Sequence, residues 1–585
     1  MAKKLTGLQR VLDVPSLAAV AYGEIGSSLY FALGIIALYA LGVTPWLLLS
    51  AGALFVLIAL SYAEGTAAFP ETGGAATFVR RAFNDPLGFL TGWVLFLDYL
   101  IVMALAALFT PHYVGSAVGW DAITHEPWDV MVGIGVVAAV AGIRLLRRTS
   151  LYRVGIVLAA LSLTTHVILV VLGFALVFSP HALSRGVDIG TAPTWHSLAF
   201  ALPLAMLAYT GLETVANLAA ETREPGKTLP RSLFWGIGAV VVVSVLLAIV
   251  GISAYPVHDT GHGWTTELGG RWLRAPLVGI ASAFDGHLPH GVAETLKVAV
   301  GLTGAVVLAS AVTTSISGVG RLAYSLARHE MLPHAFARLS RRTLIPPVSI
   351  VTAAAMACAL IVISDVLGRT VNFLAGLYSF GILLAFAAAQ LAVLRLRVTA
   401  PDLPRPFRAP GNVRIRGVSL PVAALVGLPL TVAVLGVMVA THRRALVAGA
   451  IWLIVGAVVY VTVRVRHANP RRHRPACKGQ GNQQETLKPP HNVCSINGEA
   501  GCDPLAAGHR WHGPFRPSQK AASTVLALTF YNAAGSGSPA LSNARCIRSV
   551  AVISGILRAI EISETSICRA RSNIFFSRNE SGFSR

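Results

Sequence analysis

The feature that most constrains this chain is a series of apolar stretches, each long enough to cross a lipid bilayer as a helix. A helix needs ~20 apolar residues to span the ~30 Å hydrocarbon layer. Hydropathy predicts twelve such spans with almost no charge inside them, near residues 15–40, 45–68, 86–118, 127–145, 150–178, 195–220, 229–254, 292–325, 347–364, 369–396, 418–440 and 445–464. The pattern predicts an all-α integral membrane protein rather than a soluble enzyme with one packed core.

The charges support a membrane class and argue against a nucleic acid partner. Only 12% of the residues are charged, about half of the ~25% usual in soluble domains. The net charge of +21 has an ordinary source, since cytoplasmic loops of membrane proteins concentrate Lys and Arg. If the amino terminus is cytoplasmic, the inner segments hold 23 Lys and Arg and the outer loops hold 6. We therefore expect both termini on the cytoplasmic side of the cell membrane.

The chain changes character after Arg466, where Pro, Gly, Asn and Gln become frequent and no stretch is long enough to cross a membrane. Such a composition cannot bury a core, so we expect residues 467–585 to form a disordered basic tail. The tail is either an extension without functional selection or a regulatory segment. Its cysteines lack CxxC spacing, and Cys358 lies in an apolar span, so neither a zinc site nor a disulfide framework is implied.

Two spans contain glycines where a membrane helix would be interrupted. The first holds Gly23 and Gly26, followed by Ser27 and Ser28. The sixth holds a single one, Gly211, which is weaker evidence. Unwound backbone at membrane depth is tolerated where it lines a cavity or is buried in protein, and its free N–H and C=O groups can then bind a ligand. The alternative is close helix packing, for which small residues are common.

The positions of the two interruptions favour a binding site. The first and sixth spans are equivalent elements if five helices are followed by five that repeat them. Short glycine-interrupted segments at matching places in two halves point to a substrate site at the bilayer midplane.

Four stretches in this order resemble the amino acid-polyamine-organocation (APC) permeases, over roughly residues 10–465. They are YGEIGSSLY, SYAEGTAAFPETGGAATFVRRAF, LAYTGLETVANLAAETREPGKTLPRSL and GRLAYSLARHEMLP. The resemblance implies a LeuT-like fold of 5+5 inverted repeats with helices 1 and 6 broken. The cytoplasmic amino terminus would be residues 1–14, the repeats 15–178 and 195–396, and two extra helices 418–464.

The resemblance also implies where an amino acid substrate would bind. Its carboxylate would lie against Gly26, Ser27 and Ser28. Its ammonium would meet carbonyls near Leu207, Ala208 and Thr210. Tyr209 would form an aromatic roof, and Glu213 would anchor the second break or contact the substrate. Charge logic agrees, because a half-helix amino end favours an anion and a carboxyl end favours a cation.

Glu24 departs from the family pattern by placing a carboxyl group in the first break. An intramembrane carboxylate costs at least ~2.5 kcal/mol on insertion scales, so it should be paired, protonated or functional. Three roles are open: proton or cation coupling, contact with a cationic substrate, and a structural hydrogen bond. A similar acid occurs in KUP-type potassium transporters, which makes potassium uptake the alternative function.

Other polar residues in the spans are further candidates for coupling. His166 could relay a proton, although a lone His is more often a packing or hydrogen-bonding residue. Asp98 is an intramembrane acid whose partner the sequence does not identify. Thr313 and Thr314 are weak candidates for sodium ligands.

The sequence as a whole predicts a secondary transporter that carries amino acids by alternating access. We expect the coupling ion to be a proton rather than sodium. No cofactor, resident metal or enzymatic motif such as a nucleophile elbow, P-loop or HExxH is expected, and no polar pore-lining run favours a channel.

Overall fold

The computed structural model describes residues 12–146, 151–184, 187–261, 263–340, 346–366, 370–415 and 417–468. The predicted disordered tail lies almost entirely outside these residues, as does most of the predicted amino-terminal segment.

Helices dominate the amino-terminal half of the described chain, and their starts carry the expected signals. Asp13 caps the first helix by accepting a hydrogen bond from the Ser16 N–H at 3.2 Å. Asn84 caps the fifth in the same way, through the Leu87 N–H at 3.1 Å. The helices are α1 Val14–Ser27, α2 Leu29–Ala40, α3 Thr44–Ala68, α4 Ala75–Ala82, α5 Asp85–Val118, α6 Trp128–Leu146, α7 Leu151–Leu176 and α8 Pro180–Ser184, with short 3-10 helices at Leu41–Val43 and Asp121–Thr124.

The carboxyl-terminal half continues in the same style, with two short antiparallel hairpins between helices. Its helices are α9 Trp195–Leu204, α10 Leu212–Asn217, α11 Pro225–Ala254, α12 Pro276–Ser282, α13 His290–Arg328, α14 Pro347–Val366, α15 Thr370–Thr399, α16 Val422–Thr441 and α17 Arg443–Ala468, with 3-10 helices at Ala205–Tyr209, Ala219–Glu221 and His334–Ala337. One hairpin pairs β1 His258–Asp259 with β2 Trp264–Thr265, and the other pairs β3 Asn412–Ile415 with β4 Val418–Pro421.

The prediction of an all-α membrane protein is confirmed. Eleven helical stretches among the described residues are long and apolar enough to cross a membrane. One of them is the 40-residue stretch Leu29–Ala68, which combines the second half of the first predicted span with the whole second span. The 14-residue α1 is too short to count by itself. Every predicted span has a helix, and the number of crossings stays a prediction.

The long helix α5 is the centre of the bundle. It packs against α13, α15 and α6, and its most apolar window is buried throughout. By contrast, α7 and α17 expose most of theirs, as helices that face lipid do. A helix that is apolar all round belongs in the interior, so polar residues on α5 lie deep in the protein.

Candidate substrate and coupling site

The first break lies between α1 and α2 and is one residue wide. The Ser28 backbone keeps helical dihedrals, φ −65° and ψ −27°. Its N–H donates to the Ile25 carbonyl at 3.2 Å, three residues back. The Ser27 hydroxyl donates to the Glu24 carbonyl at 2.7 Å, where a regular helix would place the Ser28 N–H. A serine side chain that competes for a backbone acceptor therefore explains this break.

The second break covers a longer stretch of chain. α9 ends at Leu204, a 3-10 turn runs over Ala205–Tyr209, and Thr210 is extended with φ −71° and ψ 152°. Gly211 then adopts φ +108° before α10 begins. That dihedral suits glycine alone, because a Cβ would strain it. The prediction from one glycine thus located the wider of the two interruptions.

The structure brings the two breaks into direct contact. The Ser28 and Thr210 hydroxyls share a hydrogen bond. A Cβ on Gly211 would lie 2.9 Å from the Glu24 Cβ, so the second break packs on the backbone of the first. Both sequence interpretations of Gly211, helix unwinding and close packing, therefore hold at the same residue.

The other candidate substrate residues lie on the same two segments and are buried. Ser27 is 3% exposed, and Leu207 and Ala208 are fully buried in the 3-10 turn. Tyr209 stacks on Phe55 with ring centroids 5.3 Å apart. Its hydroxyl donates to the Leu48 carbonyl at 2.7 Å and lies 3.0 Å from the Ser244 hydroxyl. The polar end of Tyr209 is thus engaged by α3 and α11.

Glu24 lies where α1, α10 and α13 meet. Its carboxyl is close to the hydroxyls of Thr314 and Thr214, and the charges of Glu213 and Arg321 act on it. The Thr314 hydroxyl already donates to the carbonyls of its own helix, at 3.1 Å to Ser310 and 3.0 Å to Ala311. The oxygen of Thr314 is therefore left as an acceptor, which suits a protonated carboxyl or a cation beside it.

Asp98 and Glu213 belong to one buried group of oxygens that lack hydrogen-bond donors. Glu213 accepts from the Gly211 N–H at 3.2 Å through one oxygen. Its other oxygen, and both oxygens of Asp98, have no hydrogen-bond partner within the described ranges. The same is true of the hydroxyls of Tyr62 and Tyr378, on which both acids act electrostatically. Each such group in a native structure calls for a proton, water or ligand.

His166 contacts the first broken helix but has no described contact with these acids. Its Nδ1 and the Tyr22 hydroxyl share a hydrogen bond of 2.7 Å. The Tyr30 ring lies 5.2 Å away between centroids. The imidazole is fully buried. Its contacts with Tyr22 on α1 and Tyr30 on α2 join α7 to both sides of the first break.

Thr313 and Thr314 also satisfy their own helix, since the Thr313 hydroxyl donates to the Ala309 carbonyl at 2.9 Å. Among the described residues, no group of three or more His, Cys, Asp or Glu side chains could hold a metal ion.

The sequence predicted none of the ion pairs of this protein, and two of them involve acids of the membrane bundle. Glu64 on α3 pairs with Arg397 at the end of α15, and Glu221 after α10 pairs with Arg321 on α13. Glu64 carried a usable signal, because it is an acid inside an apolar span. Its partner is 333 residues away, which no local pattern reveals.

Comparison with known proteins matches most of the chain to one family. The family model described as amino acid permease covers residues 12–463. The chain is 26% identical over 412 residues to the vacuolar cationic amino acid transporter 4 of Arabidopsis thaliana, covering 68% of this chain and 64% of the relative.

Two relatives from Bacillus subtilis (strain 168) are similarly distant. The chain is 26% identical to the glutamate/serine transporter AimA, covering 61% of this chain and 66% of the relative. It is 26% identical to an aspartate-proton symporter, covering 70% and 77%. The chain thus spans about two thirds or less of the length of the first two relatives named here. These names concern amino acids, and they lend no support to potassium uptake.

Proposed function

Because this chain belongs to the amino acid permease family, we propose that it is a multi-pass secondary transporter that moves amino acids across the cell membrane with protons. The observation that carries the proposal is the contact between the two breaks, where Ser28 meets Thr210 beside the carboxyl groups of Glu24 and Glu213. A site between two broken helices lets one group of helices rock against the other around a fixed substrate.

The substrate's own charges fit the two breaks. Its carboxylate binds at Gly26, Ser27 and Ser28, and Ser28 adjoins the amino end of α2, where the helix dipole is positive. Its ammonium binds carbonyls of the 3-10 turn near Leu207 and Ala208, and that of Thr210. The Ser28–Thr210 hydrogen bond closes the space between these two subsites, so we propose that the substrate replaces this bond when it enters.

The three acids supply the coupling proton. Glu213 acts electrostatically on both Glu24 and Asp98. An unpaired buried carboxylate costs several kcal/mol. The oxygens of Asp98 on α5 and Glu213 on α10 that lack a hydrogen-bond partner among the described residues, and the charge of Glu213 acting on Glu24, therefore favour proton binding. The named aspartate-proton symporter makes this ion a reasonable choice.

His166 supports the break rather than relaying the proton. Its hydrogen bond to Tyr22 and its packing on Tyr30 hold α7 against the first break. A lone buried His with a hydrogen bond to a neighbouring helix has a structural role. Proton binding by the three acids does not require His166.

Sodium is the second candidate ion, on one specific observation. The free lone pairs of the Thr314 oxygen and the Glu24 carboxyl would also suit a hard cation. The uptake experiment therefore has to vary the two ions separately.

Uptake into proteoliposomes tests the proposal. Radiolabelled arginine, lysine, serine, glutamate and aspartate are each supplied with an inward proton gradient, an inward sodium gradient or neither, with a rubidium tracer as a separate arm. We expect at least one amino acid to accumulate under the proton gradient. Rubidium uptake without any amino acid uptake would overturn the proposal, and stimulation by sodium alone would replace the ion.

Matched variants then locate the site. We expect Ser28→Ala to raise the KM about tenfold, as loss of a hydrogen bond to a charged group does. Ser50→Ala serves as the control, because Ser50 is an exposed residue on α3 whose hydroxyl contacts its own helix at the Leu47 carbonyl. We expect Glu24→Gln to remove most of the response to the proton gradient. Equal behaviour of Ser28→Ala and Ser50→Ala would exclude Ser28 from the site.

A further inference from the structure

Main-chain pairing joins Leu12, just ahead of the Asp13 cap of α1, to the segment after α10. The Leu12 N–H donates to the Glu221 carbonyl at 3.1 Å, and the Arg223 N–H donates to the Leu12 carbonyl at 2.9 Å. The Ser232 hydroxyl on α11 donates to the Val14 carbonyl at 3.1 Å. We call this junction of residues 12–14 with 221–223 the latch. It ties together one end of each broken helix, at the side that the charge pattern assigns to the cytoplasm.

One arginine holds the latch to a third element. Arg321 on α13 contacts the same Glu221 oxygen through Nε and a terminal nitrogen, both at 3.1 Å. The two side chains are 32% and 20% exposed. A partly exposed pair of this kind is held loosely, because solvent screens it, so a competing charge nearby can shift it.

The carboxyl group of Glu24, on α1, supplies a competing negative charge beside the same face of α13. Thr314, which lies beside Glu24, is seven residues before Arg321, and residues seven apart on a helix share a face at ~10 Å along the axis. The Arg321 charge acts on Glu24. The guanidinium therefore pairs with one carboxyl, Glu221 in the latch, and lies within electrostatic reach of a second, Glu24 in the first break. Arg144, which donates to the Ser317 hydroxyl at 2.8 Å, adds a repelling positive charge.

We propose that Arg321 is a positioning residue that couples the protonation of Glu24 to the closing of the latch. When Glu24 is neutral, Glu221 is the nearest anion that pairs with Arg321, and the latch is held. When Glu24 is ionised, it competes for the guanidinium and the latch loosens. By linkage, closing the latch also favours the proton on Glu24.

This inference rests on the proposed proton coupling but needs no substrate. The charged or titratable groups that act on Glu24 include Glu213 from α10 and Arg321 from α13, and the Tyr99 hydroxyl faces it from α5. Glu213 opposes ionisation of Glu24 in both states of the latch. Movement of Arg321 therefore distinguishes the two states electrostatically.

The test measures opening of the latch directly. Ala219, fully buried beside the latch, is changed to Cys in a chain whose six native cysteines are replaced by Ala. The rate of labelling by a membrane-impermeant maleimide is measured across pH and divided by the labelling rate of a free thiol, because the thiolate itself is pH-dependent. We expect the corrected rate to rise about tenfold from acid to alkaline pH, within the usual range of coupling between sites.

Three variants show whether Arg321 carries this response. Arg321→Gln should label quickly at every pH, Arg321→Lys should retain part of the response, and Glu24→Gln should label slowly throughout. The charge-reversed pair Glu221→Arg with Arg321→Glu should close the latch with an inverted response, because ionised Glu24 would then repel the carboxylate at position 321 towards the latch.

A plain structural ion pair gives a different result. An unchanged pH response in Glu24→Gln, or a charge-reversed pair with the original response, would overturn the inference. If Arg321→Gln fails to elute as a single species on size exclusion, Arg321→Lys and the reversed pair still decide. Absence of amino acid uptake in the proteoliposomes would remove the proposed function and leave the labelling result standing.

Discussion

Two carboxyl groups of this protein are similarly buried but differ in their hydrogen-bond partners. Glu64 on α3 is 2% exposed and Asp98 on α5 is fully buried. The Arg397 guanidinium grips both oxygens of Glu64, at 2.5 and 2.8 Å, and the Ala409 N–H donates to it at 2.9 Å. Neither oxygen of Asp98 has a hydrogen-bond partner in the part of the chain that the structure describes.

The difference separates structural from functional acids. A buried ion pair with further hydrogen bonds fixes two elements relative to one another, and breaking it is costly because one charge is left behind. Glu64 fixes the end of α15 and the start of the β3 hairpin to α3. A carboxyl without donors fixes nothing, and its cost is offset when it takes up a proton or a ligand. We therefore expect mutation to affect stability at Glu64 and transport at Asp98.

The largest effect is expected from Glu64→Gln. It would leave the Arg397 guanidinium buried without its anion, which costs ~3–5 kcal/mol. The measurement is thermal unfolding in detergent. Glu71→Gln is the control, because Glu71 pairs with Arg81 at 3.2 Å with both side chains about half exposed, where a pair is worth ~0–1 kcal/mol. Equal melting temperatures for the two variants would show that the buried Glu64–Arg397 pair is no more important for stability than an exposed pair.

A smaller effect is expected from Gly381→Ala on α15. The added Cβ would lie 2.3 Å from Oδ1 of Asp98, so the carboxyl has to move at a cost of ~1–3 kcal/mol. Proton-driven uptake should fall with it. Gly436→Ala is the control on α16, since a Cβ there meets no atom within 4 Å among the described residues, and its uptake should match the unmodified chain. Normal uptake by Gly381→Ala would show that the position of the Asp98 carboxyl is unimportant.

Asp98→Asn should change transport and leave stability nearly unaltered. It keeps the shape and removes the ionisable group. We expect the stimulation of uptake by external acid to fall about tenfold, equivalent to ~1.4 kcal/mol, while the melting temperature stays within experimental error. Loss of stability as large as that of Glu64→Gln would mean that Asp98 has a structural partner and that its assignment to coupling is wrong.

The smallest effect is expected from ending the chain after Arg466. The composition of the tail gives it no core to bury, and the family match ends at residue 463, so stability and uptake should equal those of the full chain. This variant provides the baseline for the other three. Loss of uptake on truncation would instead make the tail a regulatory segment.

Much of the candidate site could be predicted from the sequence, because glycine and serine inside an apolar span are local signals. Gly211 marked the second break, and its dihedral explains why. The first break is one residue wide, since its glycines are helical and the Ser27 hydroxyl takes the acceptor of the Ser28 N–H. Glu24 and Asp98 could be singled out as intramembrane acids, and the family resemblance indicated Glu213. His166 could be found too, but the hydrogen bond to Tyr22 that gives it a structural role joins residues 144 apart.

By itself the sequence determined that the chain is a multi-pass membrane protein and which glycine-interrupted spans could meet, and its basic loops predict an orientation. Those properties depend on local composition and hydropathy, which folding does not change. Only the tertiary structure decided which acids are paired. The partners of Glu64 and Glu221 come from helices that are distant in the chain. Whether a buried carboxyl is structural or functional depends on the hydrogen-bond donors that tertiary packing places beside it.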